Sequence, residues 1–288
     1  MRLEMAKEFI DVTHQGSVLI ITLNDSRTRN ALGKKMFDEI SEELTRFESD
    51  QSLRALVLTG KDPAFCSGVN LGEISKWSNV EQKEYPNEMS RLTPWERMET
   101  GLIETGEDMG PESLRYLPLR IFNLQKPTIA ALNGYAMGIG MGLALSCDIR
   151  IASTETILSE AFVKSGLIPA DGSCWQLPRM IGLSNTLLLQ YTGDSIDADE
   201  CYRLGIVNKV VPHDQLLNYS LELAQRLAKG PTYAISLTKW LVHKSLEVNF
   251  EQSLSLAGSA QEIAMKTKDH KEGLRAFAEK RPPKFEGR

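Results

Sequence analysis

The apolar and polar positions of this chain change period along its length, and the changes outline its elements. In "FIDVTHQGSVLIITLN" two apolar runs flank Gln15–Gly16, which predicts two strands around a turn. In "ALGKKMFDEISEEL" the residues Leu32, Met36, Phe37, Ile40 and Leu44 fall on one face at helical spacing, which predicts an amphipathic helix. Short apolar runs follow in "RALVLTG" (54–60), "KPTIAALNG" (126–134) and "CDIRIAS" (147–153), each the length of a buried strand. Strands alternating with helices give an α/β class over the first two-thirds of the chain.

From about residue 195 the pattern becomes helical. "DADECYRLG", "HDQLLNYSLELAQRLAKG" and "PTYAISLTKWLVHKSLEV" read as helices, with "IVNKVVP" a short strand among them. Gly230–Pro231 after a basic last turn is a helix stop. We therefore expect a core over 1–195 and a separately packed helical region over 196–288, whose Leu-rich faces suit a core or an oligomer interface. Residues 72–118 break the pattern. They are rich in Glu and carry Met89, Met98, Met109, Trp77, Trp95 and Tyr116. Such a stretch is expected to be a lid or binding loop, or else a solvated helical insertion.

Charge and cysteine content narrow the function classes. The net charge of −5 opposes a nucleic-acid partner, because counterion release needs an excess of Lys and Arg. Cys66, Cys147, Cys174 and Cys201 form no C-x-x-C, and the four histidines form no ligand-spaced pair, so no metal is expected. Acidic residues in "MRLEMAKEFIDV" interrupt what would be the apolar core of a signal peptide. No apolar run approaches the ~20 residues of a membrane span. A cytoplasmic protein without a membrane partner is the expectation.

Two glycine-rich turns follow predicted strands, "TGKDPAFCSGVNL" (59–71) and "NGYAMGIGMGLALSCD" (133–148). The first lacks phosphate-loop spacing, since Asp62 follows Gly60–Lys61. The second lacks the third glycine of a dinucleotide fingerprint, because Leu143 stands there. Another use fits both. Glycine lets backbone N–H groups approach a ligand, and those at a helix start lack internal partners. Two such groups from two loops could meet on one oxygen that becomes negative during a reaction. Close helix packing is the competing use of the same glycines.

These stretches, with several others, resemble the crotonase superfamily, the enoyl-CoA hydratase/isomerase family. The matching segments are "LNDSRTRNAL", "AFCSGVNL", "KPTIAALNGYAMGIGMGLALSCDIRIAS" and "EGLRAFAEKRPPKFEGR", in order through nearly the whole chain. Ser26 replaces the family's usual proline and Asn70 its usual aspartate. The resemblance implies a spiral of ββα turns followed by a helical trimerisation region, assembled as a homotrimer or a dimer of trimers. It implies an acyl-CoA thioester substrate, with coenzyme A present only as part of that substrate and no other cofactor. The thioester oxygen would be held by the N–H groups of Val69 and Ile139, beside Gly138 and Gly140. Arg29 and Ala31 match positions near the CoA phosphates. Ser67, Asn70 and Leu71 match the adenine and pantetheine wall, and Phe277 and Lys280 match C-terminal positions that close over the nucleotide.

The family's two hydratase glutamates fall on Gly142 and Phe162, neither of which can transfer a proton. The stretch "AFVKSGLIPADGSCWQLPR" instead resembles the isomerase branch, which includes epoxyphenylacetyl-CoA and enoyl-CoA isomerases. There a single carboxylate moves a proton between C2 and C4. That acid would fall on Ala170, and Asp171 is the next residue. Asp171 is thus the expected acid–base residue, with an N-cap of the following helix as its competing role. Glu160 is the next candidate, against a plain role as a solvated strand residue. Ser173, Cys174 and Trp175 are expected along the pocket, with Gly142, Phe162 and Ala170. Besides the isomerase, the same residues leave open a hydratase or hydrolase with a rearranged catalytic set and a non-catalytic CoA-thioester-binding subunit. RNA binding is the reading that the acidic charge opposes most.

Overall fold

The first hairpin forms where the alternation places it. In the computed structural model, which describes residues 7–70, 72, 93, 95–96 and 116–287, strand β1 spans Ile10–Gln15 and β2 spans Val18–Leu23. Gln15 pairs with Val18, so the turn is Gly16–Ser17, one residue later than expected, with Gly16 at φ +61°. Helix α1 (Lys34–Ser49) buries Met36, Phe37, Ile40, Leu44 and Phe47 on one side. Each such side chain contributes roughly 1.5–3 kcal/mol by leaving water. Most of the 72–118 insertion, and Leu71, lie outside the described residues; only its end is seen as it enters α2 (Tyr116–Phe122).

The middle of the chain winds as the resemblance implies. Strands β3 (Ala55–Gly60), β5 (Thr128–Leu132) and β7 (Ile149–Ser153) pair in parallel within one sheet of order β1-β2-β3-β5-β7-β10. Each is followed at once by a strand of a second sheet: β4 (Ala64–Cys66), β6 (Tyr135–Met137) and β8 (Ile157–Ser159), which continue to β9 (Ile196–Asp197). Each spiral turn therefore gives one strand to each sheet. Between β6 and β7 runs α3 (Ile139–Ser146), every residue of which is buried, so it has no polar face and sits inside the main core.

The C-terminal part joins this core more closely than its helical pattern suggests. After α4 (Ser173–Thr192) and α5 (Ala198–Leu204), strand β10 (Lys209–Val211) pairs with β7 in the large sheet. Helix α6 (Leu216–Ala228) lays Leu216, Ala224 and Ala228 over Val18, Val57, Ile129 and Ile151, making a second core on the other face of that sheet. Only α7 (Thr232–Ser245), α8 (Phe250–Met265) and α9 (Lys268–Ala278) extend beyond the sheets. Among the described residues, no helix is long and apolar enough to cross a membrane.

Candidate functional site

The small sheet sets up the site. Its register aligns Met137 with Ser159, so β6 and β8 end together, and Gly138 N–H donates to Ser159 O (2.9 Å). Beyond these ends the chain turns into Gly138–Ile139 on one strand and Glu160 on the next, while residues 67–70 leave β4 beside them. Loops at the carboxyl ends of parallel strands are the usual ligand site of such sheets.

The two loops that carry the amides expected to act together touch through their backbones. Leu32 N–H donates to Gly68 O (2.7 Å) and Asn70 N–H to Leu32 O (3.0 Å), a parallel bridge that turns Val69 N–H to the opposite edge. That edge faces the β6 turn: a Cβ on Gly68 would stand 3.2 Å from Met137 O, and one on Gly140 would stand 2.2 Å from Cys66 O. Ile139 opens α3, where a helix offers its first N–H groups no acceptor. Buried Asn30 secures the arrangement. Its side chain donates to Lys61 O (2.8 Å) and Ala64 O (2.7 Å) and accepts from Asp25 N–H (2.9 Å), tying residues 25–31 to the β4 loop. Arg29 and Ala31 lie on that tied turn, Arg29 exposed and at φ +56°. Ser67 joins it by donating from Oγ to Thr28 O (2.7 Å), and Asn70 accepts from Gly72 N–H (3.0 Å).

Asp171 points inward. It is 2% exposed, and its carboxyl lies on Gly142, where any Cβ would stand 2.6 Å from Oδ2. Glycine at 142 is the space the carboxyl occupies. Oδ1 accepts from Ser173 Oγ (2.7 Å) and Ser173 N–H (3.1 Å), so one oxygen does helix-start work, although the N-cap itself is Gly172. Oδ2 has no partner among the described residues. Burial pushes the Asp171 carboxyl above its ordinary range; the Ser173 bonds, and after them the backbone N–H groups of Asp171 and Gly142, oppose this only in part.

A second carboxyl sits beside it. Glu160 is 1% exposed, not a solvated strand residue, because the chain turns inward after β8. Its Oε2 lies 2.9 Å from Ser173 Oγ, and its Oε1 has no partner among the described residues. Burial, and then the nearby Asp171 charge, push it up to about 9. Gln190 Nε2 also reaches Ser173 Oγ (3.3 Å). The two residues are 17 apart in one helix, which unbroken would separate them by ~25 Å; α4 breaks at Gly182 (φ 78°, ψ 164°) and folds back. Sequence reading missed Ser173 as a bridge and Gln190 altogether, and Gly182 was the available signal.

The remaining expected residues spread over two other places. The Phe162 ring packs over Gly138, 3.4 Å from where a Cβ would be, and Ala170 is half-buried next to Asp171. Trp175 turns the other way, edge-on to Phe122 and under Arg179, into a cavity shared with Leu145, Met180 and Val242. Phe277 (86% exposed) and Lys280 lie at the end of α9 on the surface. Cys174 is exposed, and the Cys66 thiol is fully buried and pushed up to about 11, the wrong direction for a nucleophile. Among the described residues no three His, Cys, Asp or Glu side chains gather as a metal site requires.

Comparison with known proteins is consistent with this geometry. A family model described as enoyl-CoA hydratase/isomerase matches residues 13–101 and 96–288. The chain is 30% identical over 274 residues to the short-chain-enoyl-CoA hydratase of Clostridium acetobutylicum, covering 95% of each. It is 32% identical over 284 residues to the 1,2-epoxyphenylacetyl-CoA isomerase of Escherichia coli, covering 98% of this chain and 99% of that one. Among solved structures, an enoyl-CoA hydratase from Bacillus anthracis aligns with a TM-score of 0.82 at 30% identity, covering 98% of this chain and all of the other.

Proposed function

The chain belongs to the enoyl-CoA hydratase/isomerase family, and from that premise we propose that it is an isomerase, moving the double bond of an enoyl-CoA or ring acyl-CoA thioester. The observation that carries this reading is Asp171 Oδ2, a buried carboxyl oxygen without a partner, lying on Gly142 where the family's hydratases hold a glutamate. In the proposed cycle the thioester oxygen lies between Val69 N–H and Ile139 N–H. Asp171 Oδ2 takes a proton from C2. The electron pair spreads over the dienolate, and the same oxygen, after its proton has partly exchanged with solvent, delivers a proton at C4. A carboxyl raised by burial suits a group that must be base and then acid. Phe162 keeps water from the position where a hydratase would activate it. Arg29 and Lys280 would hold the phosphates of CoA. Exposed Trp240 and Val242 on α7, Leu246 just after it, and Phe250 and Leu254 on α8 support the expected self-association into trimers.

Glu160 gives one specific reason for a second reading, a hydratase, because it supplies a second buried carboxyl next to the first. Incubation in D₂O with linear and cyclic 3-enoyl and 2-enoyl CoA thioesters, followed by mass, separates the two. The isomerase gives double-bond migration with deuterium uptake, reduced about 10²–10⁴-fold in Asp171→Asn. Addition of D₂O across the double bond would refute the isomerase and leave the hydratase.

A further inference from the structure

The Ser173 hydroxyl has more neighbours than it can serve if both carboxyls are ionised. Its oxygen carries one proton and two lone pairs. Gln190 Nε2, at 3.3 Å, can only donate and takes one lone pair. Asp171 Oδ1 at 2.7 Å is the closer of the two carboxyl oxygens, and it also accepts Ser173 N–H (3.1 Å). The hydroxyl proton therefore points to Asp171. The remaining lone pair faces Glu160 Oε2 at 2.9 Å, a contact that is attractive only if that oxygen carries a proton.

We infer that Glu160, Ser173 and Asp171 form one unit that holds a single carboxyl proton at neutral pH, with Glu160 neutral and donating to Ser173 Oγ, Ser173 donating to Asp171 Oδ1, and the negative charge kept on Asp171. Glu160 is then a positioning residue. It fixes the serine rotor toward Asp171, holds Oδ1 with two donors, and leaves Oδ2 as the free basic oxygen. The surroundings agree. No Lys, Arg or His among the described residues pairs with either carboxyl, and the neighbouring Cys174 thiol is pushed up, first by its own burial and then by the acidic pair. Two bare carboxylates bridged by one hydroxyl in a dry site would repel with no cation to offset it. This unit deepens the isomerase reading and rests on it for the role of Oδ2, but not for where the proton sits.

The test uses infrared spectra of the whole protein at pH 7 and turnover of 3-enoyl-CoA thioesters. A protonated-carboxyl band that shifts in D₂O is expected in the parent, retained in Asp171→Asn and lost in Glu160→Gln. Turnover should fall no more than about tenfold in Glu160→Gln, whose amide can still donate to Ser173 Oγ. It should fall on the order of 10²-fold in Glu160→Ala and Ser173→Ala, with kcat rather than KM affected. Absence of the band in the parent, or a band lost in Asp171→Asn and kept in Glu160→Gln, overturns the assignment. So does a Glu160→Gln variant as inactive as Glu160→Ala, since Glu160 would then be exchanging protons itself. A parent that shows the band yet isomerises no thioester would refute the isomerase reading and uphold the shared proton.

Discussion

Two pairs of acidic residues in this chain are treated in opposite ways. Asp269 and Glu272, on α9, are saturated. Asp269 accepts from Glu286 N–H (2.7 Å) and Gly287 N–H (2.9 Å), while Glu272 pairs with Arg275 and Arg281 and accepts from Lys284 N–H (2.9 Å). Bonds to the two arginines hold the Glu272 carboxyl far below its ordinary range. Glu160 and Asp171 share one hydroxyl, and among the described residues they pair with no cation and each keeps a buried oxygen without a partner. Native structures leave few buried polar atoms unpaired. A fold that satisfies one acidic pair so fully has the means to satisfy the other. The contrast marks the starved pair as the place where a ligand completes the set.

The starved pair depends on a missing side chain, which gives the largest expected effect. Gly142→Ala would place a methyl 2.6–2.8 Å from Asp171 Oδ2, Cβ and Cγ, and the carboxyl would have to leave. Turnover should fall about 10²-fold or more while the fold survives, because a shift near 1 Å in a reacting group costs that much. Gly142→Glu should be at least as damaging alone. Adding Asp171→Ala to it should relieve the clash and restore the melting temperature, a coupling that independent sites would not show. If Gly142→Ala keeps full turnover, Asp171 is not the base.

That dependence also shows how far the sequence could be read. The spiral was legible because its strands are short apolar runs and its motifs lie in order through nearly the whole chain. The close approach of the loops that carry Val69 and Ile139 was legible because the glycines beside them mark backbone contact, as Gly140 against Cys66 O shows. The position of Asp171 was half legible. The family's acid aligns with Ala170, and only the loop geometry before α4 decides which of two neighbours turns inward. Glu160 was misjudged because the apolar alternation of β8 ends at Ser159 and the next residue obeys the turn, not the strand. Gln190 was out of reach, since its contact with Ser173 exists only through the break at Gly182. The C-terminal region read as separate because helical periodicity does not reveal that β10 pairs with β7 and that α6 covers the sheet.

The two pairs should also respond to pH with opposite signs. Glu160 is raised in the fold from 4.5 to about 9. The unfolded chain gives up this proton first, so stability is full below about pH 4.5 and is lost as pH rises toward about 9. Glu160→Gln cannot lose a proton. Its stability should match the parent's near pH 4.5 and exceed it increasingly above, by at most about 1.4 kcal/mol per pH unit crossed, with the melting temperature rising in step. A gap that stays constant from pH 5 to pH 8 would show that Glu160 is ionised in the fold, and the contrast between the pairs would fail.

Glu272 gives the mirror image on a smaller scale. Its folded value is lowered, so it contributes stability above its unfolded value of 4.5, and this is lost as pH falls through the folded value. Glu272→Gln should therefore lower the melting temperature at pH 7, on the order of 2 °C. The difference should begin to shrink below about pH 4.5 and go on shrinking as pH falls toward the folded value. The effect is the smallest of the three because the guanidinium groups of Arg275 and Arg281 keep much of their contact with water, which screens the pairs. Added salt should shrink it further, whereas the Glu160→Gln gap, set by burial and not by an exposed ion pair, should hardly change with salt. Measuring both variants across pH at two salt concentrations distinguishes a carboxyl held by cations from one held by its own proton. Were the Glu272→Gln difference to stay constant as pH falls from about 4.5 to about 2.5, its bonds would be working as neutral hydrogen bonds, and the saturated pair would owe its stability to geometry alone.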